Sequence, residues 1–235
     1  MMDKHLSTQF DAELSGISSR VLEMGGLVES QVARAISALA QLDGDLATQV
    51  LRDEEQVNRL EVEIDRDLSG IIALRQPTAR DLRLLIAISR ITANLERAGD
   101  EAARTARVVQ RLLETGMPNR LRLPIGDLRL ESEMAINLLR RSLDAFARLD
   151  ANAGLDVIKR DRQIDQEFEG LLRKLITYMM EDPRTISAAI DLVFVAKAVE
   201  RIGDHAKNLA EAVIYIVKGA DVRHTPMAAM EDAVR

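Results

Sequence analysis

The chain has 235 residues, 47% of them apolar, 30% charged and only 3% aromatic, with a net charge of −6. There is no cysteine, which excludes disulfides, thiolate zinc ligands and thiol nucleophiles, and the acidic balance argues against nucleic acid as a partner. No apolar run approaches the roughly 18 residues of a membrane span, and the N-terminus lacks a basic segment leading into an apolar one; the expectation is a soluble, cytoplasmic protein.

The composition suits long helices. The first is expected from Ser7 to Leu42, with a stripe of Phe10, Leu14, Ile17, Val21, Met24, Val28, Ala35, Leu39 and Leu42. Gly25-Gly26 lies inside it and marks either a kink or a close helix–helix approach. Asp43-Gly44-Asp45 reads as a turn with Asp45 as N-cap. A second helix carries Leu46, Val50, Val57, Leu60, Ile64, Ile71 and Leu74 and stops at Gln76-Pro77. Thr78-x-x-Asp81 opens a third, which ends at Gly116-Met117-Pro118.

Asn119–Asp127 has no helical period and reads as a linker. A fourth helix is expected from about Asp127 to Leu149, and a fifth, capped by Asn152, carries Val157, Ile164, Phe168, Leu171, Leu175 and Tyr178. Asp182-Pro183 ends it and starts a sixth, which runs to Lys218-Gly219, with Gly at the position favoured just past a helix. The expected fold is all-α, two tandem three-helix bundles related by a pseudo-twofold repeat. The first covers residues 1–118 and the second 119–219, with 220–235 a loose tail.

The repeat is visible in one stretch. Glu96-Arg97-Ala98-Gly99-Asp100 returns 104 residues later as Glu200-Arg201-Ile202-Gly203-Asp204. Both copies sit on small or apolar stripes at alternating three- and four-residue spacing. The first runs Leu85, Ile88, Thr92, Leu95, Gly99, Ala102, Ala106, Val109, Leu113; the second Ala189, Leu192, Ala196, Val199, Gly203, Ala206, Ala210, Val213, Val217. The Glu and Asp of each copy are one helical turn apart on one face.

In an antiparallel helix pair, residues equally far from the turn lie at one height. Counting back from Asp182-Pro183 puts Asp161 level with Asp204 and Asp165 level with Glu200. Counting back from Pro77 puts Glu54 level with Asp100 and Asn58 level with Glu96. Packed helix axes lie about 8–10 Å apart, a span that facing carboxylates can close onto a shared cation. Hard oxygen ligands suit iron, manganese, magnesium or calcium, and zinc less characteristically. The competing reading is a solvated face on which Arg97, Arg104, Arg201 or Lys207 neutralise the acids. In the first set, Asn58 replaces a carboxylate and Arg104 lies one turn beyond Asp100, which favours the second set as the metal site. His205 is turned about 100° from Asp204 around the helix and reads as surface. His5 and His224 lie in expected frayed ends.

Glu200-Arg201-Ile202-Gly203-Asp204-His205-Ala206-Lys207-Asn208-Leu209-Ala210-Glu211 resembles the signature of the PhoU family of phosphate-transport accessory proteins. So do Leu74-Arg75-Gln76-Pro77 followed by Asp81-Leu82-Arg83-Leu84, and Leu175-x-x-Tyr178-Met179-x-x-Asp182-Pro183. The resemblance runs essentially from Phe10 to Gly219. It implies two three-helix bundles, homodimers and multinuclear metal clusters (iron, zinc, manganese or magnesium) held by Glu/Asp-x-x-x-Asp pairs. Carried onto this chain, the ligands fall on Asp161, Asp165, Glu200 and Asp204 with Asn208 adjacent, and in the first repeat on Glu54, Asn58, Glu96 and Asp100. His and Asn often follow the motif Asp in the family; the first repeat has Glu101 and Arg104 there. The resemblance further implies a negative regulator of the phosphate-starvation response. Such a protein links the phosphate ABC transporter at the inner membrane face to a sensor histidine kinase, and is cytoplasmic and peripherally membrane-associated.

No catalytic constellation or phosphate-cradling Gly-rich loop stands out, so an enzyme is not expected. One rival is a carboxylate-bridged metalloenzyme, but its usual Glu-x-x-His is absent from the sequence. The other is a metal-free structural scaffold.

Overall fold

The computed structural model describes residues 2–115 and 124–235, with side chains from residue 8 onward. Its elements are α1 (Met2–Gln41), α2 (Gly44–Arg75), α3 (Ala79–Thr115), α4 (Ile125–Arg148), α5 (Ala151–Glu181), a 3-10 turn (Pro183–Thr185), α6 (Ile186–Lys218) and α7 (Met227–Val234). No strand occurs among the described residues, and no helix among them is long and apolar enough to cross a membrane. The all-α expectation holds. The expected end of the third helix at Gly116 and most of the expected linker lie outside the described residues; α4 begins at Ile125, two residues before the expected start.

Helices α1, α2 and α3 pack pairwise, as do α4, α5 and α6, and the two sets join through α3 against α6 and α1 against α4. Both stripes around the repeated motif are buried throughout except at their last members, Leu113 and Val217. Their residues belong to a single apolar core that runs through both sets. Gly25-Gly26 does not break α1. A Cβ at Gly25 would collide with Leu143 of α4, so this glycine permits the close approach of the two sets. The motif glycines also serve close packing. A Cβ on Gly203 would stand 2.9 Å from Ile164 Cδ1; one on Gly99 would stand 3.0 Å from Gln31 Oε1 of α1 and in ordinary contact, 3.5 Å, with Val57 Cγ1 of α2. The first lets α5 close on α6 at the height counted from the turn, and the second makes room for α1 against α3.

Two caps differ from expectation. Asp43, not Asp45, caps α2, accepting hydrogen bonds from the Asp45 and Leu46 amides at 2.9 and 3.0 Å. Asp150, not Asn152, caps α5, accepting from the Asn152 and Ala153 amides at 2.9 and 3.0 Å. In each case a Leu in the left-handed region precedes the Asp (Leu42 φ 50°, Leu149 φ 49°), which turns the Asp into the extended geometry a cap requires. The later residue is already inside the first turn. Asp150→Ala should cost about 1 kcal/mol of stability, read as a lower urea midpoint with unchanged slope, whereas Asn152→Ala should be near neutral.

The last sixteen residues are not loose. Val222, Met230 and Val234 are buried, α7 packs on α5 and α6, and Glu231 pairs with Lys159 at 2.5 Å. Two buried side chains four apart in an eight-residue helix are too few to register as a sustained period.

Candidate functional site

The acids of both sets do gather on facing helices. In the second set, Asp161 is buried on α5, and Glu200 and Asp204 are half-buried on α6. Burial raises the carboxyl of Asp161 above its ordinary range in spite of Lys207, whose Nζ donates to Asp161 Oδ2 at 3.0 Å. Burial and then the charges of Glu200 and Asp161 raise Asp204. Glu200 Oε1 accepts from Lys197 Nζ at 2.6 Å, while Glu200 Oε2 is buried with no hydrogen-bond partner. Asp165 is exposed yet acts on both Asp161 and Asp204. Asn208 does not join them: it turns across to α3, where its Nδ2 donates to Asn94 Oδ1 at 3.0 Å.

In the first set, burial raises Glu54 against the opposing pull of Arg107, which donates to both its oxygens at 2.9 and 3.0 Å. Glu96 is pushed up to about 7 by burial and by the charges of Asp100 and Glu61. Asn58 is exposed and takes no part. Glu61 stands there in its place, raised by burial and by Asp65 and Asp100. The signal for it was the seven-residue spacing from Glu54, which returns a helix to the same face.

A second acid escaped the sequence reading. Glu131 of α4 is only 1% exposed, both of its oxygens lack a hydrogen-bond partner, and burial, Glu200 and Glu167 push it up to about 8. A glutamate on the α4 stripe of Leu128, Ala135 and Leu138 was the available signal.

Carboxylate oxygens that burial has left under-compensated are the donor chemistry a hard cation needs, and the orphaned Glu200 Oε2 fits one. As placed, however, no three His, Asp or Glu side chains among the described residues stand close enough to hold a metal ion. Lys207 and Lys197 occupy the second set and Arg107 the first, so a cation would have to displace them.

The two motifs meet at the boundary between the sets. A cavity of about 590 Å³ is lined by Arg97, Asp100, Glu101 and Arg104 of α3 and by Arg201, Asp204, His205 and Asn208 of α6. These are the same four positions of each repeat, filled differently at two of them. Buried Glu101 accepts from Arg104 at 2.9 Å and, across the boundary, from Arg201 at 3.1 Å. Its counterpart His205 is not at the surface as expected. It is half-buried with Nδ1 3.0 Å from Asn94 Oδ1, and burial together with Arg97 and Arg201 lowers its pKa to about 4, which keeps it neutral.

The PhoU domain model matches residues 21–109 and 128–213, one copy for each three-helix set. The chain belongs to the PhoU family. It is 50% identical over 224 residues to a Burkholderia "Phosphate-specific transport system accessory protein PhoU homolog", covering 95% of both chains. Against the Escherichia coli K12 "Phosphate-specific transport system accessory protein PhoU" it is 43% identical, over 95% of this chain and 91% of that one. The crystal structure of PhoU from Pseudomonas aeruginosa superposes with a TM-score of 0.85 at 45% identity, covering 90% of this chain and all of that one. The phosphate transport system regulatory protein PhoU from Streptococcus pneumoniae gives 0.81 at 27% identity, covering 90% and 98%. The repeated Glu-Arg-x-Gly-Asp thus lies within both PhoU domains, on the helix each set turns toward the other.

Proposed function

We propose that the chain is an accessory protein of a phosphate-specific transport system and a negative regulator of the phosphate-starvation response. It acts as an adaptor between the phosphate ABC transporter and a sensor histidine kinase. The observation that carries this reading is the near end-to-end match to relatives named for that transport system, with both PhoU domains present. Those names describe an accessory and a regulatory protein, which supports a role without catalysis. Long helices with wide exposed faces suit an adaptor. Ile186, Ile190 and Phe194 form an exposed apolar stripe along one face of α6, the kind of surface a partner covers. The working form we propose is a homodimer, cytoplasmic and held peripherally at the membrane by its partners, with no nucleic acid bound.

The second acid set is proposed to hold metal through Asp161, Asp165, Glu200 and Asp204, with Asn208 reaching it only by leaving Asn94. The first set, with Glu54, Glu96 and Asp100, is the weaker candidate, since Arg107 already pairs with Glu54 and Asn58 is exposed. A bound cation would supply the positive charge these carboxylates lack. This chain's own part is to position Asp161 and Asp204 and to swing Lys207 aside.

Affinity purification of the tagged full chain from solubilised membranes tests the adaptor role. Subunits of the phosphate ABC transporter are expected in the eluate, at a level above that of a tagged helical protein of another family. Their absence at both high and low phosphate would contradict it.

A further inference from the structure

The C-terminal segment does more than pack. Together with α3 and α6 it encloses a second cavity, of about 520 Å³, next to the one at the repeat boundary and sharing Arg97 and Asn208 with it. Cationic side chains enter it from three separate elements: Arg90 and Arg97 of α3, Lys207 of α6, and Arg223 of the segment between α6 and α7.

The acids in the walls, Glu211 and Asp221, are fewer than these four cations, although Lys207 is also engaged from outside the cavity by Asp161 at 3.0 Å. Asp221 is shared by two guanidiniums, Arg223 at 2.6 Å and Arg90 at 3.6 Å. Glu211 is buried, and burial raises its carboxyl above the ordinary range. Arg97 makes no ion pair or hydrogen bond among the described residues. Arg90 is held in place by stacking over Tyr215, 5.1 Å from the ring centroid. A concave surface with a cationic surplus is a local exception on a chain of net charge −6. Guanidinium forks match the geometry of phosphate oxygens, and four cations drawn from three elements suit an anion with more than one phosphate group. The volume is within the range of small-molecule sites.

We propose that this cavity binds a small anion carrying two or more phosphate groups, held by Arg97, Arg223 and Lys207 and closed in by the C-terminal segment. The site adjoins the second acid set through Lys207, which Asp161 shares, and it stands whether or not the transport role holds.

Calorimetric titration of pyrophosphate into the metal-free full chain tests it. Saturable binding of one pyrophosphate per chain is expected. Arg97→Gln and Arg223→Gln should each weaken it about tenfold or more, as loss of a charged hydrogen bond does. Arg173→Gln, an exposed change on α5, should leave it unaltered, and circular dichroism checks that each variant is folded. ADP as competitor separates two sources of the same chemistry: a lower midpoint than pyrophosphate assigns the site to a nucleotide, a higher one to the free anion. Absence of saturable binding, equal loss in Arg173→Gln, no loss in the Arg97 and Arg223 variants, or citrate binding as tightly as pyrophosphate would each overturn the proposal.

Discussion

Glu131→Met should make the protein more stable at pH 8.5 and leave it nearly unchanged at pH 4. Glu131 is enclosed on α4 with no partner for either oxygen, beside Glu200, and its carboxyl is pushed up to about 8. The folded state therefore keeps a proton that the unfolded chain gives up above its ordinary pKa of 4.5. Stability from this group is fully present below pH 4.5, falls as pH rises through the interval, and is lost once pH passes about 8. One pKa unit corresponds to about 1.4 kcal/mol, and after allowance for relaxation and water penetration the gain at pH 8.5 should be about 2–4 kcal/mol. Methionine is the apt replacement because Met24, buried in α1, occupies the matching place in the first set, at the offset that also separates Asp43 from Asp150. Urea unfolding in metal-free buffer at the two pH values measures it. Equal effects at both, or a loss at pH 8.5, would mean that Glu131 is compensated in a way its surroundings do not suggest.

Chelation gives the second large effect. If the second acid set holds metal, a chelator should lower the melting temperature of the wild type and leave Asp161→Asn/Asp204→Asn where it was. A ligand bound only by the native state adds about 2.7 kcal/mol when present at a hundredfold excess over its Kd. Without metal, the double substitution should instead stabilise the chain at neutral pH, because burial and neighbouring carboxylates, Glu200 and Asp165 among them, raise both carboxyls. The sign runs as for Glu131: a raised carboxyl costs stability above its ordinary pKa. Equal chelator responses in the two proteins would remove the metal from the account.

The long helices were legible because each carries many turns of one period, and the hairpin heights were legible because Pro77 and Asp182-Pro183 fix the turns. What escaped was short or solitary. Asp-Gly-Asp and Asp-Ala-Asn each offer two caps, and only the left-handed leucine before them decides between the two. Helix α7 fully buries only Met230 and Val234, a pattern that no window of useful length detects. Asn58 and Asn208 satisfied the spacing but not the placement: one is exposed and the other bonds to Asn94. Glu61 and Glu131 were visible as acids on the right faces, yet neither belongs to the repeated motif that drew attention to the other acids. Periodicity locates a face; which acids on it share a site depends on side-chain directions and neighbouring cations such as Lys207 and Arg107.

The regulatory role is tested most directly by deleting the gene for this chain in its own bacterium carrying a phosphate-responsive reporter, then measuring the reporter in abundant phosphate. The account predicts that the reporter stays on and that the wild-type chain supplied in trans silences it. Normal repression in the deletion strain, with no second copy of the protein present, would contradict it.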